Sequence, residues 1–233
     1  MNTERYNRQI LLPELGEEGQ TKIRNARVLL VGVGGLGSPI ALYLTGAGVG
    51  CLGLVDDDVV SISNLHRQVL YNEQEVGQSK AICASRRLQM LNSEVKIETY
   101  PFRLTEENAR EIIGQYDVVV DGCDNFKTRF LLNDTCQALG IPYVYGGICG
   151  WEGQVSIFCH PSSHTTYRTL FPDEAATLSM PHPGKQVIGM TPGIIGSTEA
   201  TEVIKLIANV GEPLIDKIWA IDLRTLQTHL INL

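Results

Sequence analysis

Hydrophobic positions along the chain fall into short unbroken runs separated by amphipathic stretches. Val28-Leu29-Leu30-Val31 is apolar at every position and stops at a run of glycines, as a strand buried on both faces does; a half-exposed strand would alternate. Pro39 through Leu44 turns to helical spacing, with Ser38 as its N-cap and Pro39 at its first position. Cys51 to Val55 is a second buried run, ending at Asp56. Further along, helical patterns over 79–91, 106–115 and 128–139 alternate with strand patterns over 95–100, 118–120 and 142–145. Such alternation predicts an α/β fold with a parallel sheet.

The grammar changes after residue 145. Gly146, Gly147, Gly150 and Gly153 interrupt the chain before the strand-like run Val155 to Phe158. Residues 160–193 are rich in proline, hold three of the five histidines and show no clean period. A loop of this length is usually functional or mobile. A helix is expected over 197–208, then strands over 218–223 and 227–231. The expectation is one domain over 1–233, with a nucleotide-binding part over 1–150 and a strand-rich part over 151–233 that carries the long crossover loop.

Composition narrows the partners. Lys+Arg 19 against Asp+Glu 26 leaves a net charge of −7, which argues against nucleic acid or an anionic membrane as the main partner. No run approaches the ~18 apolar residues a membrane helix needs, and the start MNTERYNRQILLPE has no signal-peptide core. The expected location is cytoplasmic. The six cysteines are Cys51, Cys83, Cys123, Cys136, Cys149 and Cys159, with no CxxC spacing among them. They read as reduced thiols rather than a metal or disulfide framework.

The glycine run carries the first chemistry. Gly32-Val33-Gly34-Gly35-Leu36-Gly37 lies between a strand pattern and a helix pattern, where a GxGxxG turn brings phosphate against backbone N–H groups at a helix N-terminus. Asp56, nineteen residues past Gly37, ends the next strand, in reach of ribose hydroxyls. Asn64, Arg67 and Lys80 follow on the same sheet edge; a guanidinium fork and an ammonium there suit a triphosphate better than a dinucleotide's pyrophosphate. The fourth strand ends in Asp121-Gly122-Cys123-Asp124-Asn125. Its two carboxylates are candidates for a magnesium ion between phosphates; helix capping by Asp124 or Asn125 is the competing use.

With these residues in hand, the chain resembles the ThiF/MoeB/HesA adenylyltransferases, relatives of the ubiquitin-activating enzymes, and their thiamine-biosynthesis branch most of all. The matching stretches are Arg5-Tyr6-Asn7-Arg8-Gln9-Ile10, Gly32 to Gly37, Asp56 to Gln68, Gly77 to Lys80, Asp121 to Asn125 with Arg129, and Thr191 to Lys205. The fold this implies is a Rossmann-like, mostly parallel sheet with helices on both faces, continued by antiparallel strands. The resemblance implies that Gly32, Gly34, Gly35 and Gly37 bind ATP and that Asp56 takes the ribose. Ser63, Asn64, Arg67 and Lys80 would hold the phosphates, and Asp124 would place Mg2+. Asp58, Leu65, His66 and Asn125 count among the nucleotide contacts. Arg8 would reach the neighbouring active site of a homodimer. The partner implied is a small ubiquitin-like sulfur carrier ending in Gly-Gly, bound by the 151–233 part. Its carboxylate would be adenylated with release of pyrophosphate, in thiamine thiazole synthesis or, on a different carrier, molybdopterin synthesis.

Two departures matter. The family often carries two CxxC pairs for zinc; here Thr166-Tyr167-Arg168-Thr169 stands at the first, and Leu230-Ile231-Asn232-Leu233 supplies no second. No zinc is expected. Residues 160–193 also hold no cysteine, leaving Cys159 and Cys123 as the nearest thiols, read as buried apolar residues rather than nucleophiles. Cys159, His160 and His164 have no specific metal spacing. An NAD-dependent oxidoreductase is the alternative from another class, but the back third offers no catalytic acid for it. A non-catalytic binding module is the third reading, disfavoured by intact Arg8, Arg67, Lys80 and Asp124.

Overall fold

A computed structural model describes residues 3–180 and 186–233. Residues 181–185, part of the segment expected to be a long loop, lie outside the described residues. Eight strands form one sheet in the order β3-β2-β1-β4-β5-β6-β7-β8. The strands β1 (Arg27–Val31), β2 (Cys51–Val55), β3 (Lys96–Tyr100), β4 (Val118–Asp121) and β5 (Tyr143–Cys149) are parallel. The strands β6 (Glu152–Phe158), β7 (Lys217–Asp222) and β8 (Gln227–Asn232) continue the sheet antiparallel. The expected architecture is therefore the observed one.

Successive residues of a strand point to opposite faces, and β1 shows why its run is wholly apolar. Val28 and Leu30 enter one core beneath α3 (Gly37–Ala47), α4 (Lys80–Leu91) and α9 (Met190–Ala208), while Leu29 and Val31 enter a second core beneath α5 (Glu106–Ile113) and α6 (Phe126–Leu139). Both faces are covered, so alternation has no solvent side to mark.

Several boundaries differ from expectation for identifiable reasons. Helix α3 starts at Gly37, two residues before Pro39, and Ser38 does not cap it; the Ser38 hydroxyl is buried and donates to the Gly34 carbonyl at 2.7 Å. Helix α9 starts at Met190 rather than Ser197, because Pro192 falls in the first turn, where its missing N–H costs nothing. The segment 160–193 is not a continuous loop: α7 (Tyr167–Leu170) and α8 (Glu174–Leu178) interrupt it. Helix α2 (Gly16–Asn25) was not expected at all; its segment GEEGQTKIRN holds one large aliphatic side chain, Ile23, too little for a periodic signal. At the place of the first CxxC pair, Thr166 and Thr169 close α7 as a reciprocal capping box, with the Thr166 N–H donating to Thr169 Oγ1 at 3.1 Å.

Strand order reverses between β1 and β4, each of which is followed by a crossover to an opposite side of the sheet. A crevice opens outside the carboxyl ends of two strands at such a point. Its floor is three glycines in contact. Gly32 leaves β1 with φ +90°, a conformation side chains rarely tolerate. A Cβ on Gly32 would stand 2.6 Å from the Gly122 carbonyl carbon, and one on Gly122 would collide with the Gly32 carbonyl and stand 3.2 Å from Gly37 Cα.

Gly122→Ala is expected to cost about 2–3 kcal/mol through this overlap, a fall of roughly 5–10 °C in Tm, read by thermal unfolding. Gly46→Ala, in the exposed interior of α3 with nothing near its Cβ position, is the control; it should raise stability by about 0.5–1 kcal/mol. Equal effects from the two would show that the glycine contact carries no constraint.

Candidate active site

The crevice is a cleft of about 1150 Å³. The glycine loop enters it from β1, held open from both sides. Asp56, at the end of β2, accepts from the Val33 N–H at 2.7 Å and from the Asp58 N–H at 2.9 Å, and the Tyr71 hydroxyl donates to the Val33 carbonyl at 2.7 Å. Burial pushes the Asp56 carboxyl above the usual carboxylate range, against these N–H groups and the Lys80 charge, which pull it down. Helix α3 begins directly behind the loop with no side-chain cap; the Ser38 N–H is taken by the Gly34 carbonyl at 3.0 Å and Pro39 has none, so the N–H donors left to an anion are those of the loop itself.

Gly32, Gly34, Gly35, Asp56 and Asp58 line the cleft, as do Arg67, Lys80, Asp124 and Asn125. Gly37 sits behind this lining, as the first residue of α3. Lys80 is buried along its stem, with Nζ 2.9 Å from Asp58 Oδ2; the ion pair stores the ammonium at the cleft wall beside a mostly exposed carboxylate. Arg67 Nη1 donates to the Ser63 carbonyl at 3.1 Å and lies 2.9 Å from His66 Nε2.

Ser63, Asn64, Leu65 and His66 do not line the cleft. Ser63 and Asn64 belong to a 3-10 turn over Ile62–Asn64 whose carbonyls receive Arg67: the Arg67 N–H donates to Asn64 O at 3.0 Å. His66 instead lines a neighbouring hollow with Trp151 and Met190. Arg8 is exposed on α1 (Thr3–Ile10) and does not line the cleft of its own chain. Helix α1 is fixed to the body by Tyr6, whose hydroxyl accepts from Asn92 Nδ2 at 2.8 Å and donates to Glu94 at 3.2 Å.

The carboxylate pair of the fourth strand divides. Asp121 is fully buried, and its oxygens are taken by Arg129 Nε (2.9 Å), the Tyr143 hydroxyl (2.9 Å), the Cys123 N–H (2.9 Å) and the Cys123 thiol (2.7 Å). It is not available to a metal, which corrects the expectation of two carboxylates there. Asn125 caps α6, accepting from the Thr128 N–H at 2.9 Å. Asp124, between them, is exposed into the cleft and makes no side-chain hydrogen bond among the described residues. One free carboxylate in the same cleft as the glycine loop is a donor set that fits magnesium, which commonly takes one or two carboxylates plus substrate oxygens.

Cys123, in the cleft wall, and Cys159 are both pushed away from the thiolate form. Burial, then the Asp121 charge, raises Cys123 well above its ordinary value; burial pushes Cys159 up to about 12, with Asp134 adding to it. Cys159 donates to the Asn133 carbonyl at 3.5 Å inside the second core. Among the described residues, no group of His, Cys, Asp and Glu is arranged to hold a metal, and no helix is long and apolar enough to cross a membrane.

Three participants escaped the sequence reading. Gly122 forms the floor, Arg129 braces the loop of Asp124, and Gln68 lines the cleft nearly buried, its Oε1 without a partner among the described residues. Each lay within a stretch already singled out, but its work depends on a residue distant in sequence. A fourth, Glu199 on α9, is buried against Gly146 with neither carboxylate oxygen bonded among the described residues. Burial, then the Asp121 charge, holds it well above the usual carboxylate range, with Arg129 pulling the other way.

A carboxyl group raised in the folded state binds its proton there more tightly than in the unfolded chain. Its contribution is complete below about pH 4.5 and is lost as pH rises through the folded value. Glu199→Gln should therefore make Tm fall less steeply than in the wild type between about pH 5 and pH 8, leaving the Asp56 contribution in place. Parallel Tm–pH curves for the two proteins would refute a protonated Glu199.

The chain matches the ThiF family over residues 6–233. It is 48% identical over 216 residues to the sulfur carrier protein adenylyltransferase of Thermus thermophilus, covering 91% of this chain and 80% of that protein. It is 42% identical over 230 residues to the adenylyltransferase and sulfurtransferase MOCS3-2 of Zea mays, covering 98% of this chain and 48% of that protein. The chain spans about half the length of the MOCS3 relatives it matches. Among solved structures, E. coli MccB with ATP superposes with a TM-score of 0.85 at 25% identity, covering 99% of this chain and 72% of that one.

Proposed function

Because the chain belongs to the ThiF family, we propose that it is an ATP-dependent adenylyltransferase that activates the C-terminal carboxylate of a small ubiquitin-like sulfur carrier ending in Gly-Gly. The observation that carries this is the cleft itself. A glycine loop, an uncapped helix start and a strand-end carboxylate stand beside two cations and one free carboxylate at the switch point of the sheet. The names of the Thermus thermophilus and Zea mays relatives support the same chemistry.

In this reading the α-phosphate lies against the glycine loop and the start of α3, and Asp56 faces the ribose. Lys80 exchanges its bond to Asp58 for phosphate oxygens, and Arg67 turns its fork from the Ser63 carbonyl to the β- and γ-phosphates. Asp124 holds the magnesium, which when bound neutralises phosphate charge. A carboxylate oxygen of the carrier attacks the α-phosphorus, the bond to the bridging oxygen breaks, and pyrophosphate leaves with the electron pair. The product is a mixed acyl-phosphate anhydride. The nucleophile arrives with the substrate, so the protein needs no covalent one; it positions the partners and stabilises charge developing on the phosphates. Cys123 and Cys159, both shifted away from the thiolate form, have no role in it.

The 1–150 part holds ATP in this scheme and the 151–233 part receives the carrier. Arg8, exposed on α1, completes the site of a neighbouring protomer in a homodimer that works in the cytoplasm. The carrier is of the thiamine-thiazole type; a molybdopterin-type carrier would undergo the same step.

The test is carrier-dependent exchange of labelled pyrophosphate into ATP. Arg67→Ala and Lys80→Ala are each expected to lower the rate by about 100-fold or more, as removal of charge-stabilising groups does. Exchange on neither carrier type, or exchange that survives both substitutions, would refute the assignment. The better of the two carriers names the pathway.

A further inference from the structure

Asp124 makes no side-chain hydrogen bond among the described residues, and its position matters most if it is to meet a magnesium ion. It sits mid-way in the four-residue link 122–125 between β4 and α6. What fixes it must act on the backbone around it. The Gly122 N–H is tied to the Val31 carbonyl at 2.8 Å, and Asn125 is committed to the start of α6. Between them the Cys123 N–H is held by Asp121, and the Cys123 carbonyl by Arg129 Nη2 at 3.0 Å.

Arg129 is a poor candidate for a simple charge partner. Its side chain is 11% exposed, and one guanidinium meets three separate elements. Nε donates to Asp121 at the end of β4 at 2.9 Å. Nη2 donates both to Cys123 O and, at 2.9 Å, to Gly146 O of β5. The plane lies over the Tyr145 ring, 5.2 Å from its centroid. Arg129 also belongs to the first turn of α6, the helix that Asn125 caps. Link and helix therefore close a ring in which the helix returns a side chain to the carbonyl next to Asp124. Neutralising Asp121 needs only a positive charge; spanning a carboxylate and two carbonyls needs the planar fork, which lysine lacks.

We propose that Arg129 is a positioning residue for adenylation: by holding the Cys123 carbonyl it sets the place of the Asp124 carboxylate, and hence the affinity for magnesium-bound ATP. This rests on the reading of the cleft as an ATP site.

The experiment is a double-mutant cycle read by calorimetric binding of ATP, with magnesium and in chelator without it, on the full chain. Arg129→Lys keeps the buried charge pair and removes the fork; Asp124→Asn removes the carboxylate. Each is expected to weaken MgATP binding about tenfold while leaving metal-free ATP no weaker than in the wild type. The double variant should be within about twofold of either single variant, since the second change has nothing left to lose. A double variant weakened about a hundredfold would overturn the proposal, as would Arg129→Lys weakening metal-free ATP equally. If Arg129→Lys does not fold, Asp121→Asn/Arg129→Met, which removes the pair together, takes its place in the cycle with Asp124→Asn. A wild-type protein that binds no ATP would overturn the adenylation reading and this inference with it. Normal MgATP binding with multiplicative variants overturns the role of Arg129 alone.

Discussion

The carboxyl ends of β1 and β4 approach each other as closely as polypeptide backbone can, and the site follows from that approach. Gly32, Gly37 and Gly122 meet where a Cβ on any of them would overlap a neighbouring carbonyl. With that spacing, the glycine loop 32–36 carries the chain from β1 into α3, and the link after β4 lies alongside it. A wider separation would need side chains between the strands and would move Asp124 away from the glycine loop. The residues around the cleft are thus arranged by a contact made of no side chains at all.

Around that floor the molecule spends buried polar groups on backbone geometry. Asp56 and Tyr71 bracket Val33 from its N–H and its carbonyl; Asp121 and Arg129 do the same for Cys123. In both places a charged or hydroxylic side chain from one element fixes the loop of another, and a cleft-facing residue beside it stays free. Buried ion pairs are weak evidence of stability. Here the pair has a geometric job that an apolar replacement could not do.

How much of this was legible in the sequence follows from range. Strand β2 was read with its observed bounds because five apolar residues between turn signals need no tertiary information. The cleft residues Asp56 and Asp124 were legible because motif spacing places them just past strand ends, and Arg67 and Lys80 because they follow β2 on the same edge of the sheet. Ser38 and Asp121 were misread as a cap and a metal ligand, since both choices depend on contacts with Gly34 and Arg129 that no periodicity announces. Helix α2 escaped because its buried side holds Gly19, Gln20 and Ile23, a pattern that hydropathy does not recognise. Helix α9 starts at Met190, seven residues before the expected start, since Pro192 is tolerated in a first turn.

The capping of α7 has a consequence for the conditions this protein tolerates. Two hydroxyls, of Thr166 and Thr169, close that turn. Threonine neither oxidises nor competes for a scarce ion, and it loses no proton at any physiological pH. The closure of that turn therefore depends on neither a redox state nor a metal ion.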